Sequence, residues 1–330
     1  MKTRATSFLL AALAVVSLVL PALAAEPDEV PLETPAKSEE IEEVRNAVLL
    51  DGEPAESVEF EILDGVCYVT VSSFVSLMDP EAMVEEENGV VSVNASTVTE
   101  VVALDNEAAE AGKPIEDGEA AEAEAAEEAG DAESVETANV VTDDLNLLAG
   151  AGASYLVANG RYLYTDDGLI ELNGRVAAPV RLLARVYNLA VAYNAEYDLI
   201  LLEHQEGAEP YLADAAYHGD TLYWLSHIIY AESGNQPLEG KIAVGNVVMN
   251  RVKDPRFPDS LYDVLFQKGQ FSPASSGSIY RDPNWESTVA AMLVMDGAEV
   301  TDALFFNAVR GRAPKGRTYV ATIGDHAFYK

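Results

Sequence analysis

From Val48 to Val102 the chain carries short β-branched runs broken by turn residues: Val48-Leu49-Leu50, Val58 to Leu63, Val66 to Val71 and Val90 to Val93. Such runs predict strands, with a helix-like stretch from Phe74 to Leu77 between them. Residues 150–203 repeat the plan. Gly65 to Met78 (GVCYVTVSSFVSLM) aligns with Gly174 to Tyr187 (GRVAAPVRLLARVY), 109 residues further on. The apolar positions coincide: Val69 with Ala178, Val71 with Val180, Phe74 with Leu183, Leu77 with Val186. A polar turn and a closing strand follow each, Gly89 to Val93 and Asp198 to Leu202. Each unit predicts a hairpin, a short helix and a second hairpin, and self-similar units of this kind bury a core together.

From Asp220 the apolar period becomes helical. Asp220 is placed to cap a helix over Thr221 to Ala231, with Leu222, Leu225, Ile228 and Ile229 on one face. Leu238 to Val252 predicts an amphipathic helix through Ile242, Val247, Val248 and Val252, and Asp259 to Phe266 a short one. Asp282-Pro283 starts a further helix that Gly297 ends. Leu304-Phe305-Phe306 and Tyr319 to Ile323 predict strands. The fold class expected is therefore multidomain α+β, a β-rich tandem repeat followed by a mostly helical domain with a small sheet.

Three stretches lack either period. Residues 1–25 have a basic start (Lys2, Arg4), an apolar run from Phe8 to Leu20 and a small-x-small site at Ala22-Leu23-Ala24, which predicts a cleaved export signal. Residues 26–45 are a Pro- and Glu-rich linker, and 206–217 a connector. Asp105 to Asp144, within a spacer at 104–145, is an Ala/Glu tract without aromatics or an apolar stripe, and such a composition stays solvated. The repeats then occupy 46–103 and 146–205, and the helical domain 218–330.

Charge sharpens this division. The net charge is −36, but residues 26–214 carry 7 basic against 44 acidic groups, while residues 215–330 carry 11 against 12. So acidic a chain excludes nucleic acid as a partner. The neutral last third is expected to fold and act by itself. A lone cysteine, Cys67, excludes a disulfide scaffold and reads as a buried hydrophobe. The four histidines (His204, His218, His227, His326) do not cluster at ligand spacing, so neither metal nor cofactor is expected.

Glu232 breaks the helical pattern. It lies at i+3, i+4 and i+7 from Ile229, Ile228 and Leu225, on the buried stripe, just before Ser233-Gly234-Asn235 ends the helix. Desolvation raises the pKa of such a carboxyl, and a glutamate with apolar shoulders beside a cleft is how a glycosidase keeps a general acid protonated near neutral pH. On spacing alone a helix-terminal glutamate without chemistry is the better reading.

The flanking sequence decides between these. Ile229-Tyr230-Ala231-Glu232-Ser233-Gly234, Pro237 to Val244, Val247 to Val252, Phe257-Pro258, Gly269-Gln270-Phe271-Ser272 and Thr322 to Tyr329 together resemble the SleB-type cell-wall hydrolases, which include spore-cortex-lytic enzymes. That resemblance covers residues 218–330. It implies a lysozyme-like domain, peptidoglycan glycan strands as the partner and Glu232 as the catalytic residue. It also implies a secreted, wall- or spore-associated protein. Where family members often carry a second acidic residue, this chain has Gln236.

Gln270, Phe271 and Ser272 are expected to line the groove, with Phe271 equally suited to the core, and Asn307, just after a strand, is a weaker groove candidate. Asn250-Arg251 is expected to tie two helices together, His326 to be structural, and Arg310, Arg312, Lys315 and Arg317 to form a solvated loop or to meet stem-peptide carboxylates. With one carboxylate in the motif, the expected reaction is a lytic transglycosylation giving 1,6-anhydro ends; water-mediated hydrolysis needs a partner such as Asp254, Asp259 or Asp282 folded nearby. The repeats, through Asn173-Gly174 and Ala177-Ala178-Pro179-Val180-Arg181, resemble the copper amine oxidase N-terminal-like (stalk) domain. A non-catalytic wall-binding protein is the rival reading.

Overall fold

A computed structural model of the chain describes residues 45–94, 145–309, 311 and 315–330. The expected export signal, the linker up to residue 44, the acidic tract up to residue 144, and Arg310 and Arg312 lie outside the described residues. The described residues belong to one compact unit.

Among the described residues the first half has thirteen strands and two short helices. In chain order they are β1 (Ala47–Leu50), β2 (Glu53–Pro54), β3 (Phe60–Leu63), β4 (Val66–Thr70), α1 (Val71–Met78), β5 (Val84–Glu87) and β6 (Val90–Val93). Then come β7 (Leu147–Gly150), β8 (Tyr155–Ala158), β9 (Arg161–Tyr164), β10 (Ile170–Leu172), β11 (Arg175–Pro179), α2 (Val180–Val186), β12 (Leu189–Asn194) and β13 (Leu199–His204). Hairpin, helix and hairpin thus recur in the same order, β3-β4-α1-β5-β6 and β10-β11-α2-β12-β13. Five hairpins turn through two residues, Asp51-Gly52, Asp64-Gly65, Asn88-Gly89, Asn159-Gly160 and Asn173-Gly174, all with positive φ. Asn-Gly and Asp-Gly suit this turn because its twist matches that of the strands it joins.

The two segments do not sit side by side as separate units. Strand β4 pairs antiparallel with β11, and Val69 faces Ala178. These are the two residues that the sequence alignment equates, so Tyr68 facing Pro179 and Thr70 facing Ala177 are counterparts as well. An approximate two-fold axis passes through that pair, the isologous arrangement of a symmetric dimer realised within one chain. The hairpin β5-β6 is extended by β7, and β12-β13 by β1. Each segment therefore completes the other's sheet, and one core contains Val69, Phe74, Ala178 and Leu183 together. Because Val93 pairs with Leu147, the intervening tract leaves and re-enters at one place, joining neighbouring strands.

The second half comprises α3 (Gly219–Ser233), α4 (Leu238–Lys253), α5 (Leu261–Phe266), α6 (Ser272–Ser276), a 3-10 turn at Ser278–Tyr280, α7 (Trp285–Met295) and strands β14 (Phe305–Ala308), β15 (Tyr319–Ile323) and β16 (His326–Tyr329). Sheet order is β14-β16-β15. Two helix starts differ from expectation. Asp220 lies inside the first turn of α3, whose N-cap is His218. Asn284, not Asp282, caps α7, its side chain accepting from the Ser287 amide.

Helix α4 is buried from Gly240 to Val248 rather than along one stripe. It runs through the middle of the domain, with α3 and α7 against one side and Ile323 and Phe328 of the sheet against another. Gly245 marks the closest crossing. A β-carbon there would lie 2.9 Å from Val294 Cγ2 and 3.0 Å from Ile229 Cδ1.

The two halves are clasped at one end of α3. Asp296, after α7 and 9 % exposed, accepts from Arg161 Nε at 2.8 Å, the Tyr162 amide at 2.8 Å and the Tyr217 hydroxyl. Tyr155, Tyr162 and Tyr164 pack against the helical core beside it. A buried carboxylate and an apolar face of the last third are thus covered by the first half. At the opposite end, Asn284 of the α7 start reaches Gly234, just past α3. Fifteen residues of α3 place those ends ~22 Å apart, so the clasp leaves the Glu232 end free.

Candidate active site

Glu232 occupies the last turn of α3, on the side of Leu225, Ile228 and Ile229, each fully buried. The helix ends at Ser233, and Gly234 follows as its C-cap. Ser233 turns its hydroxyl back to the Ile229 carbonyl at 2.7 Å, and at Gly234 a β-carbon would meet the Tyr230 carbonyl at 2.7 Å. The Glu232 carboxyl is half-buried. Burial raises its pKa, and the Arg251 guanidinium opposes that rise. Among the described residues Arg251 is the one charged group that sets its direction against burial. Asp254, one possible partner, is instead drawn to Arg256, with a pKa lowered to about 2.

Arg251 was not recognised as a site residue from sequence. It is 4 % exposed, and its Nε donates to the Leu304 carbonyl at 2.7 Å. The guanidinium lies 4.8 to 5.3 Å from the ring centres of Phe257, Phe271 and Phe305, a cation enclosed by aromatic faces. Burial lowers its pKa to about 10, which leaves it charged at neutral pH. Arg251 and Asn250 do not tie two helices as expected. Asn250 donates to the Thr301 and Ala303 carbonyls, so the pair fastens α4 to the segment leading into β14. A signal was available: Arg251 falls at i+3 and i+4 from Val248 and Val247, the same break of an apolar stripe that singled out Glu232.

Phe271 is 4 % exposed and lies under Arg251. Its place is the core wall of the site, and as a groove-lining residue it is corrected, since a buried ring has no face left for a ligand. Gln270 and Ser272 flank it and are exposed. Asn307 is half-buried within β14, not after it, on the face it shares with Phe305. Thus Phe271 and Phe305 converge through Arg251 on Glu232, with Gln270, Ser272 and Asn307 next to those rings in sequence.

Gln236 has a definite task. Its Oε1 accepts from the Asp325 amide at 2.8 Å and its Nε2 donates toward the Asp325 carboxylate at 3.3 Å. A carboxylate at this position would face Asp325. The Gln236 carbonyl accepts from Lys241 Nζ at 2.7 Å, and Lys241, 1 % exposed, also meets Glu286 of α7. A lysine so deeply buried is tolerated only when paired; here it joins the end of α3 to α4 and α7. His326 packs between Phe306 and Phe328 as a structural residue, with burial lowering its pKa. Higher on α3, Trp224 gathers Tyr223, Tyr262, Phe266 and Tyr280, and Tyr262 and Tyr280 remain 51 % and 56 % exposed. Among the described residues no group of three or more histidine, cysteine or acidic side chains converges to hold a metal.

Residues 235–329 match the family model described as Cell Wall Hydrolase, a match that begins three residues after Glu232. The chain is 31 % identical over 108 residues to the spore cortex-lytic enzyme of Bacillus subtilis (strain 168), covering 32 % of this chain and 35 % of the relative. It is 26 % identical over 118 residues to that of Oceanobacillus iheyensis, covering 34 % and 43 %. The chain therefore spans less than half the length of these curated relatives. Among solved structures it is similar to the catalytic domain of the germination-specific lytic transglycosylase SleB from Bacillus anthracis, at 28 % identity, 36 % of this chain, 100 % of that chain and a TM-score of 0.33.

Proposed function

With residues 235–329 a Cell Wall Hydrolase domain, we propose that the chain cleaves peptidoglycan glycan strands, of the cell wall or spore cortex, with Glu232 as the acid/base. The observation that carries this is the pairing of a half-buried carboxyl of raised pKa with a single charged neighbour, Arg251. Protonated Glu232 gives its proton to the glycosidic oxygen as the bond to the anomeric carbon breaks. The carboxylate left behind faces Arg251, which stabilises it. It then removes the proton of the muramic 6-hydroxyl while that oxygen closes on the anomeric carbon. The products are a free hydroxyl on one fragment and a 1,6-anhydro end on the other, and Glu232 ends as it began. This route needs one carboxyl, whereas glycosidases that use water or a covalent intermediate employ two. Gln270, Ser272 and Asn307 are assigned to substrate binding.

The helical domain, at 218–330, is assigned a lysozyme-like fold. The segments 46–103 and 146–205 are assigned as tandem repeats of the copper amine oxidase N-terminal-like type, which the recurrent element order and the Val69–Ala178 pairing support. Residues 1–25 are assigned as an export signal and 104–145 as a spacer, which makes the protein secreted and wall- or spore-associated. Dye release from purified cell wall tests the activity. Wild type is expected to lyse wall and a folded Glu232→Gln variant is not; lysis by both would remove Glu232 from the mechanism.

A further inference from the structure

The first half holds two cavities that are counterparts of each other. One, of about 390 Å3, lies between α2, the β3–β4 turn and β12–β13. The other, of about 610 Å3, lies between α1, the β10–β11 turn and β5. The 109-residue offset of the sequence alignment relates them. Ser72, Ser73 and Ser76 of α1 line the second, and their equivalents Arg181, Leu182 and Arg185 of α2 line the first. Gly65 borders one, and its equivalent Gly174 borders the other.

Equivalent in position, they differ in chemistry. The cavity at α1 is polar and acidic, with Glu59 and Glu86, and its one cation, Arg175, already meets Glu59 at 3.4 Å. The cavity at α2 has apolar walls from Val66, Val180, Leu182 and Ile200, with two arginines on the same helix. Cations are scarce here: residues 26–214 carry only 7 against 44 acidic groups, so two in one lining are a local reversal of charge. Arg185 is partly committed, donating to the Asp296 carbonyl at 3.4 Å. Arg181 is exposed and makes no hydrogen bond or ion pair among the described residues. Asp167, also in the lining, is the one carboxylate that a bound anion has to avoid.

We propose that the cavity at α2 binds a small aliphatic carboxylate, with Arg181 holding the carboxylate and the apolar walls taking the aliphatic body. Its volume falls in the range of small-ligand sites, and the planar guanidinium fork matches a carboxylate. In a protein that degrades peptidoglycan the ligand is the carboxylate end of a stem peptide. That identification rests on the proposed function; the preference for an aliphatic carboxylate does not.

The test uses the full chain carrying Glu232→Gln, with D-alanyl-D-alanine, its C-terminal amide and hexanoate as probes. Affinity is read by titration calorimetry. The dipeptide acid is expected to bind, and the amide to bind at least about tenfold more weakly. Arg181→Ser, which copies the residue at Ser72, is expected to cost the same about tenfold with the melting temperature unchanged. No binding of either acid by calorimetry, equal binding of acid and amide, or an Arg181→Ser variant of full affinity overturns the site. Hexanoate binding as well as the dipeptide keeps the ligand class and removes the stem peptide. Wall lysis by the wild type is scored separately, so failure of the glycan-cleaving reading is distinguishable from failure of this one.

Discussion

The two halves of the molecule keep their polar groups in opposite places. The first half carries almost all of the net charge, yet buries few polar side chains: among the described residues Thr70 and Ser73, with the hydroxyls of Ser72 and Tyr187. The second half is neutral overall and buries ten, among them Gln236, Lys241, Asn246, Arg251 and Asp296. Surface charge costs little and governs solubility, whereas a buried polar group costs free energy unless it is partnered. The loud feature of the sequence, its acidity, is therefore uninformative about chemistry. The quiet one, polar residues on apolar stripes, marks the half that works. Lys241, Asn246 and Asp296 have found partners that hold the fold. Glu232 and Arg251 instead act on each other's charge, the guanidinium opposing the rise that burial gives the carboxyl pKa.

Substitutions that strike the buried polar groups should therefore separate into catalytic and structural effects. The largest effect is expected at Glu232. Glu232→Gln should lower lytic rate by about a hundredfold to ten-thousandfold, measured by dye release. It should not lower the melting temperature. Burial raises the folded pKa of this carboxyl, so between its unfolded and folded values the native state binds more protons, and stability falls as pH rises through that window. A neutral amide removes that loss, and equal or higher stability at pH 7 is the expected outcome.

Asp296→Ala comes next. It removes an acceptor from Arg161, Tyr162 and Tyr217, and unfolding should become easier by roughly 2 to 4 kcal/mol in denaturant titration. If the clasp is what joins the halves, the single transition should also divide into two. By the same argument a 215–330 fragment, stripped of Tyr155, Tyr162 and Tyr164, should be less stable than the full chain. Gly245→Ala crowds Val294 and Ile229, at an expected cost of about 1 to 3 kcal/mol with catalysis retained.

A smaller and more diagnostic change is expected from Arg251→Met. Loss of the cation removes what holds the Glu232 pKa down, so the alkaline limb of the pH–rate profile should move to higher pH. A limb that stays put would separate Arg251 from Glu232. The smallest effect is expected from Gln236→Glu, which turns a donor toward Asp325 into a like charge. About 1 kcal/mol of stability should be lost above the carboxylate range and recovered in acid.

Much of this was legible in the sequence, for identifiable reasons. Strand β6 at Val90–Val93 and β15 at Tyr319–Ile323 follow from β-branched runs between turn residues. Five Asp-Gly or Asn-Gly pairs mark two-residue hairpins by chemistry alone. Glu232 stood out because a carboxyl on an apolar stripe is expensive. What escaped depends on contacts distant in the chain. Strand β16 was missed because His326-Ala327-Phe328-Tyr329 is short and lies between two partners that only the fold supplies. The mutual completion of sheets by the two segments is invisible to an alignment that shows only their likeness. Arg251 was expected to tie two helices together, and its enclosure by Phe257, Phe271 and Phe305, drawn from three separate segments, is supplied only by the fold.

The central claim is that Glu232 acts without a second carboxylate. Its most direct test is the chemistry of the glycan ends that wild-type protein releases from purified peptidoglycan. Borohydride reduction followed by mass analysis should find muramic ends that take up no hydride, as 1,6-anhydro sugars require. Muramic ends that are reduced would show that water attacks, and with it that a second acid or base assists Glu232.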